Sequence, residues 1–191
     1  MKTQLKQFRA TDFLFCPHCG KKTISFVGKK KWICTSCGFE LFFNIASACG
    51  LIIFDNANNV LFEKRAKEPR KNFLALPGGF IDANESAENA ILRECAEELM
   101  FRPKKISYLA SFPNSYEYKN ALYKTCDIFF ETKVRGSLSS LVEKMKMQKT
   151  EVSDLCICKI ENERDIENLK IAFESAKNIL RFWLSQKGKR K

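Results

Sequence analysis

GFIDANESAENAILRECAEELMF, running from Gly79 to Phe101, is the stretch on which the reading of this chain turns. Glu85 to Leu99 has the composition of a helix, with Asn84 or Ser86 available to cap its start. Setting Glu94 at 0° and advancing about 100° per residue puts Glu97 near roughly 300° and Glu98 near roughly 40°. Three carboxylates therefore share one face at the i, i+3, i+4 spacing. Beside them lies an apolar stripe of Ile91, Leu92, Cys95 and Leu99, suited to docking on a sheet. Ala87 and Ala90 fall on the acidic face, where small side chains leave room for a ligand. Carboxylates this close repel one another unless a cation neutralises them, and oxygen-only ligation suits Mg²⁺ or Mn²⁺. Arg93, four residues before Glu97, is placed to brace the cluster and to reach Glu85 across the preceding loop.

Upstream, Ile45 to Asp55 and Asn59 to Ala66 read as two strands joined at Asn56-Ala57-Asn58, and Ala75 to Ile81 as a strand fragment broken by Gly78-Gly79. Downstream, Lys105 to Phe112, Leu122 to Val134 and Val152 to Ile160 are further strands. Ser137 to Thr150 reads as a loop with a helical turn, and Leu169 to Gln186 as an amphipathic helix before the basic tail Lys187 to Lys191. Near the N-terminus stand Cys16-Pro-His-Cys19-Gly20 and Cys34-Thr-Ser-Cys37-Gly38. The 14 residues between the pairs read as a hairpin, Lys22 to Val27 and Lys31 to Cys34 around a turn at 28–30. Four thiolates at this spacing fit a closed, structural tetrahedral zinc site, with iron in similar knuckles as the rival. His18 is expected to face solvent on the first knuckle, and Cys49, Cys95, Cys126, Cys156 and Cys158 to serve as small core residues.

The 191 residues suit one ordinary domain and a small satellite. Nine cysteines behind a polar, basic lead-in, Met1 to Asp12, argue against a disulfide framework and for reduced thiols or a metal. The longest apolar run, Ile45 to Phe54, is about half of a membrane span. Secretion and membrane insertion are thus disfavoured, and a cytoplasmic location is expected. The single histidine, His18, sits inside a cysteine knuckle, which argues against a Ser-His-Asp triad and a histidine-rich metal centre and leaves catalysis to carboxylates, metals, cysteine or lysine. The net charge of +11 favours anionic partners such as nucleotides, nucleic acid or acidic surfaces.

Gly79, Glu85, Arg93-Glu94 and Glu97-Glu98, at this spacing and with Pro77-Gly78 just upstream, resemble the signature of the Nudix hydrolases. Where that family has a glycine after the paired glutamates, this chain has Met100, and Pro103 is expected to stop the helix slightly later. The resemblance implies an α/β fold: a Nudix α/β/α sandwich with a mixed sheet over residues 44–191, preceded by a lead-in and zinc ribbon over residues 1–43. It implies divalent-metal-dependent hydrolysis of the diphosphate bond in a nucleoside diphosphate linked to X, releasing a nucleoside monophosphate. Carried over by position, Glu94, Glu97 and Glu98 ligate Mg²⁺ or Mn²⁺, the Gly79 carbonyl adds a ligand, and Glu85 supports them from the loop. Glu97 or Glu98 is the expected general base, with Glu151 in reserve.

A zinc ribbon directly before such a domain resembles the NADH pyrophosphatase branch of the family, which implies a homodimer and, as substrate, ADP-ribose, NAD(H) or a related ADP-linked compound. Of that branch's Ser-Gln-Pro-Trp-Pro-Phe-Pro-x-Ser marker, only Ser111 and Pro113 are matched. Tyr116, Tyr118 and Tyr123 are candidates to stack a base. Two rival readings stay open. One is a pyrophosphohydrolase of RNA 5′ ends, motivated by the charge and the basic tail, with nucleic acid not favoured. The other is a non-catalytic zinc-ribbon binding module with a vestigial box, against which stands the retention of all three glutamates.

Overall fold

The computed structural model describes residues 6–7, 13–118 and 121–186, and only the backbone at residues 6, 7, 118 and 121. The rest of the basic lead-in and the basic tail Lys187 to Lys191 lie outside the described residues. The chain forms two units, Met1–Ala46 with Tyr116–Tyr123, and Ser47–Ser115 with Lys124–Lys191.

In the first unit, β1 (Lys6–Gln7) pairs in parallel with residues 121–122. Strands β2 (Ile24–Val27), β3 (Lys31–Cys34) and β4 (Glu40–Phe42) make an antiparallel sheet. Along β3, Trp32 and Cys34 are buried while Lys31 and Ile33 are half-buried, the period-two pattern of a strand with one inner face. Trp32 gathers the rings of Phe13, Phe26 and Phe43 at 4.8, 4.6 and 5.6 Å between centroids. An aromatic centre of this size, without more, is too small to hold a domain together.

The second unit is built on β5 (Ala46–Phe54), in which Leu51, Ile52 and Ile53 are all fully buried because the strand is covered on both faces. It turns into β6 (Asn59–Arg65) at Asp55, whose buried carboxylate accepts from the backbone N–H groups of Ala57, Asn59 and Leu138 at 2.9, 3.1 and 3.2 Å. Then follow β7 (Leu74–Ala75), α1 (Ala87–Leu99), β8 (Ser107–Tyr118), β9 (Ala121–Lys133), α2 (Leu138–Val142), β10 (Val152–Lys159), α3 (Glu163–Glu167) and α4 (Glu174–Gln186). The sheet runs β9-β5-β6-β10, with β7 beside β6 and β8 beside β9. Antiparallel pairing of β6 with β5, β7 and β10, together with the parallel Leu74–Ile171 bridge, makes the sheet mixed.

Alternation along the strands separates two cores. Ile52, Val60 and Phe62 pack with Ile166 of α3 and Ile179, Leu180 and Trp183 of α4. Leu51, Ile53 and Leu61 pack with Ile91, Cys95 and Leu99 of α1 and Leu138 of α2. Helices on both faces of one mixed sheet are the α/β/α sandwich, and the acidic stretch lies on the helix of the second face.

Three local expectations are corrected. The C-terminal helix begins at Glu174, not Leu169, because Lys170 O accepts from Leu74 N and Ala172 N donates to Leu74 O, both at 2.8 Å, drawing that segment out beside β7. Helix α3 was not foreseen; five residues are too few to show a period, although Asn162 and Asp165 form a capping box around its start. Met100, rather than Pro103, ends α1. It takes φ 48° and ψ 33°, with its N–H on Ala96 O and that of Phe101 on Cys95 O, so a non-glycine residue holds the left-handed cap. Among the described residues no helix is long and apolar enough to cross a membrane.

Candidate functional site

Residues 77–81 lie along β5: Leu51 N donates to Pro77 O at 2.9 Å, Cys49 N to Gly79 O at 2.8 Å and Ile81 N to Ser47 O at 3.1 Å. This close docking demands Gly78, while Gly79 leaves space for the Glu94 carboxylate. At Gly78, with φ 141°, a Cβ would stand 2.2 Å from Cys49 O; at Gly79 a Cβ would stand 2.4 Å from Glu94 Oε1. Gly78→Ala is expected to destabilise the fold by about 3 kcal/mol, since a strained φ adds to a backbone clash that cannot relax. A urea titration reads this as a lowered midpoint at unchanged slope, and a wild-type midpoint would refute the docking.

Helix α1 starts at Ala87, two residues later than its composition suggests. Ser86 is the N-cap, its Oγ accepting from Asn89 N at 3.2 Å, which leaves Glu85 in the loop and free to turn back. Arg93 meets it there: Nε donates to Glu85 Oε1 and Nη2 to Glu85 Oε2, both at 3.0 Å. Nη1 donates to Glu94 Oε1 at 2.8 Å and Glu97 Oε2 at 3.2 Å, and Nη2 also donates to Phe80 O at 3.0 Å. All five N–H donors of the guanidinium are thereby engaged, and loop and helix carboxylates are tied to one cation. The Arg93 hydrogen bonds hold Glu85 below the usual carboxylate range.

Glu98 is buried and accepts from Gly78 N at 3.0 Å. Burial pushes its carboxyl up to about 8 against the pull of the Gly78 N–H, and the charges of Glu94 and Glu151 add to the rise. Glu94 is raised by burial as well, with Arg93 opposing. Glu97 stays on the exposed rim. Ala90 is a correction: it is fully buried under α1 with Leu51 and Leu61, so it packs the core and leaves no room for a ligand, and Ala87 packs against the same cluster.

In the other unit the four cysteines converge, their Sγ atoms all within 4.8 Å of one another. Cys16–Cys37 and Cys19–Cys34 are 3.8 and 3.7 Å apart, against an edge of about 3.8 Å for a tetrahedron with Zn–S bonds of about 2.3 Å. The two knuckles fold alike: Gly20 N donates to Cys16 O at 2.8 Å and Gly38 N to Cys34 O at 2.9 Å, with φ 71° and 72° at the two glycines. The Thr23 hydroxyl, 3.2 Å from Cys34 Sγ, leads the groups that lower that thiol to about 6, towards the thiolate a metal requires. His18 stacks on Phe39 at 5.6 Å, away from a ligand's role. The donor set fits zinc.

A family model described as the NUDIX domain matches residues 45–181. The chain belongs to the NUDIX family. Among curated relatives, NAD-capped RNA hydrolase NudC of Pseudomonas syringae pv. tomato is 28% identical over 110 residues, covering 56% of this chain and 39% of that protein. ADP-ribose pyrophosphatase of Methanocaldococcus jannaschii is 40% identical over 60 residues, covering 31% of this chain and 36% of that protein. The chain thus spans about two fifths of the length of these relatives. A NUDIX hydrolase from Nitrosomonas europaea shares the fold with a TM-score of 0.64 at 20% identity, over 94% of each chain.

Within the NUDIX unit, the structure adds an acid that sequence reasoning missed. Glu63 of β6 is buried, and the Glu98 carboxylate acts on it together with burial. A lone Glu between Phe62 and Lys64 carries no local signal, and only the sheet brings it under α1. Glu151, before β10, is half-buried, and its charge reaches Glu94 and Glu98, so it faces the acidic cluster; Lys67 Nζ holds its Oε1 at 2.5 Å. The Gly79 carbonyl receives Cys49 N and, at 3.6 Å, the Cys49 thiol. Tyr116 and Tyr123 fall within the residues matched to the NUDIX model but group with the cysteine unit, and the Tyr118 side chain lies outside the described residues. The Glu94 carboxylate beside the bare Gly79 backbone, Glu98 on Gly78 N, and a buried Glu63 Oε1 with no hydrogen-bond partner are oxygen donors of the kind that suits a hard divalent cation.

Proposed function

We propose that this chain is a divalent-cation-dependent pyrophosphohydrolase, cleaving the diphosphate bond of a nucleoside diphosphate linked to X and releasing a nucleoside monophosphate. The observation that carries this reading is the Arg93 hub, which gathers Glu85, Glu94 and Glu97 on one guanidinium while Gly78 N holds Glu98. Glu94, Glu97 and Glu98, with the Gly79 carbonyl, are the groups to hold Mg²⁺ or Mn²⁺. A cation there supplies charge neutralisation of the diphosphate and an acidified water. Glu97, on the exposed rim, is the carboxylate best placed to take a proton from that water, and Glu151 is the reserve. Arg93 keeps both oxygens of Glu85 and one of Glu94 in place, so the cluster is organised before substrate arrives. The four-cysteine unit holds zinc as a structural ion, because four thiolates leave no open position.

For X, the relatives support an ADP-linked class: one is named for ADP-ribose and others for NAD-capped RNA or NAD(P)H. The test is a chromatographic screen with Mg²⁺ and then Mn²⁺ over ADP-ribose, NADH, NAD⁺, dinucleoside tetraphosphate, nucleoside triphosphates and NAD-capped RNA. One compound is expected to yield a nucleoside monophosphate, with Glu97→Gln slower by about 10² to 10⁴-fold. Cleavage of the capped RNA alone selects the RNA 5′-end reading. Survival of every compound, with the protein folded and zinc-loaded, rejects the catalytic reading for this panel in favour of a binding module.

A further inference from the structure

Glu63 is 4% exposed in the interior of β6. Strand parity sets its direction: Leu61, two residues earlier, packs on Ile91, Cys95 and Leu99, so Glu63 points to the same α1 layer. There its charge acts on Cys95, its carboxyl meets that of Glu98, and it lies in the field of Glu94. Its Oε1 is buried without a hydrogen-bond partner among the described residues. Native structures keep such atoms where something else completes them. Arg65 acts on Glu63 by its charge, yet among the described residues no nearby cation donates to Glu63 Oε1. Arg93 has all five N–H groups on other acceptors, Arg65 donates to Pro69 O at 2.8 Å and stacks on Phe173, and Lys67 is on Glu151. The partner that suits a carboxylate facing two more carboxylates is a small hard cation.

We propose that Glu63 is a fourth carboxylate of the divalent-cation site, bringing its Oε1 from the sheet to the ion that Glu94 and Glu98 hold from the helix. This rests on the catalytic reading of those two glutamates, and it places one ligand outside the Gly79-to-Phe101 stretch.

Mn²⁺ binding to the full chain without substrate tests it, read by the loss of free-ion electron paramagnetic resonance signal in parallel with thermal melts. Glu63→Gln keeps the side chain's size and removes its charge. The expected result is a dissociation constant for Mn²⁺ raised at least about tenfold, a smaller Mn²⁺-induced rise in Tm, and a chelated protein that melts no lower than wild type. Wild-type affinity in Glu63→Gln overturns the proposal and makes Glu63 a structural acid of the core. If Glu63→Gln fails to fold, Glu63→Asp, which retracts the carboxylate by one methylene, is expected to fold and bind Mn²⁺ more weakly, and undiminished affinity again overturns the proposal. No Mn²⁺ binding by the wild-type chain overturns the catalytic reading itself, an outcome distinct from failure at Glu63 alone.

Discussion

Stripping zinc from the cysteine unit is expected to unfold the β2–β3–β4 sheet. The sheet has one small aromatic centre around Trp32, and Cys16 and Cys34 are its buried anchors. Apparent metal-binding energies of structural zinc sites are on the order of 10 kcal/mol and are largely folding energy, more than this centre supplies alone. Without the ion, four sulfurs within 4.8 Å have nothing to hold them together. The chain offers a built-in readout, because its two tryptophans fall in different units: Trp32 in the cysteine sheet, and Trp183 fully buried against the other sheet with Nε1 donating to Glu131 at 3.0 Å. In a two-dimensional amide and indole spectrum, a zinc chelator is expected to collapse the Trp32 indole signal to a random-coil position. Cys34→Ser is expected to do the same without chelator. A Trp32 signal unmoved by metal removal, with loss of zinc verified by elemental analysis, would sink the structural role.

Glu98→Gln is expected to lower kcat by at least about 10³-fold at saturating Mg²⁺, with the melting temperature little changed or raised. Glutamine preserves the shape and still accepts from Gly78 N at the position where Glu98 Oε2 does so at 3.0 Å, so the Gly78–Gly79 docking survives. What it removes is a negative charge in a site where burial already opposes that charge. In the chelated protein that loss relieves repulsion from Glu94 and Glu151. In the working enzyme it removes a ligand from a cation whose charge stabilisation amounts to several kcal/mol, about 4 of which correspond to the factor of 10³. Single-turnover rates for wild type and variant, beside their melts, separate the two effects. A kcat within tenfold of wild type would remove Glu98 from the cation site.

Both expectations start from local spacing, and so did most of the reading of the sequence. The i, i+3, i+4 repeat of Glu94, Glu97 and Glu98, the reach of Arg93 to Glu97, and the paired Cys-x-x-Cys knuckles are properties of one turn of helix or one tight turn of backbone. Residues seven or fewer apart in sequence have little choice of geometry once the local conformation is set. The strands of the sheet were legible for a related reason, since Ile45 to Asp55 and Asn59 to Ala66 read as two strands joined at a short turn.

Where the reading failed, the deciding contact was distant in sequence. Ala90 shares the helical face of the acids by angle, but the docking of α1 over Leu51 and Leu61 buries it. Residues 169–172 carry the pattern of a helix, yet Leu74, nearly a hundred positions earlier, takes their backbone groups. The Met100 cap is the one local exception: Phe101 N turns back onto Cys95 O, six residues earlier, a contact that a helical period does not encode.

The sequence by itself determined which residues bring chemistry: three helix carboxylates on one face, an arginine to brace them, a glycine pair, and four thiolates in two knuckles. Only the tertiary structure decided what those groups meet. Glu63 and Glu98 are 35 positions apart, and Glu151 lies 53 beyond Glu98; strand β6 and the turn before β10 bring Glu63 and Glu151 to act on Glu98 of α1. The physical reason is that a helix or knuckle positions its own side chains through backbone geometry of fixed period. Partners from separate strands are positioned by sheet order and by which face each residue presents, and those emerge only when the whole core has packed.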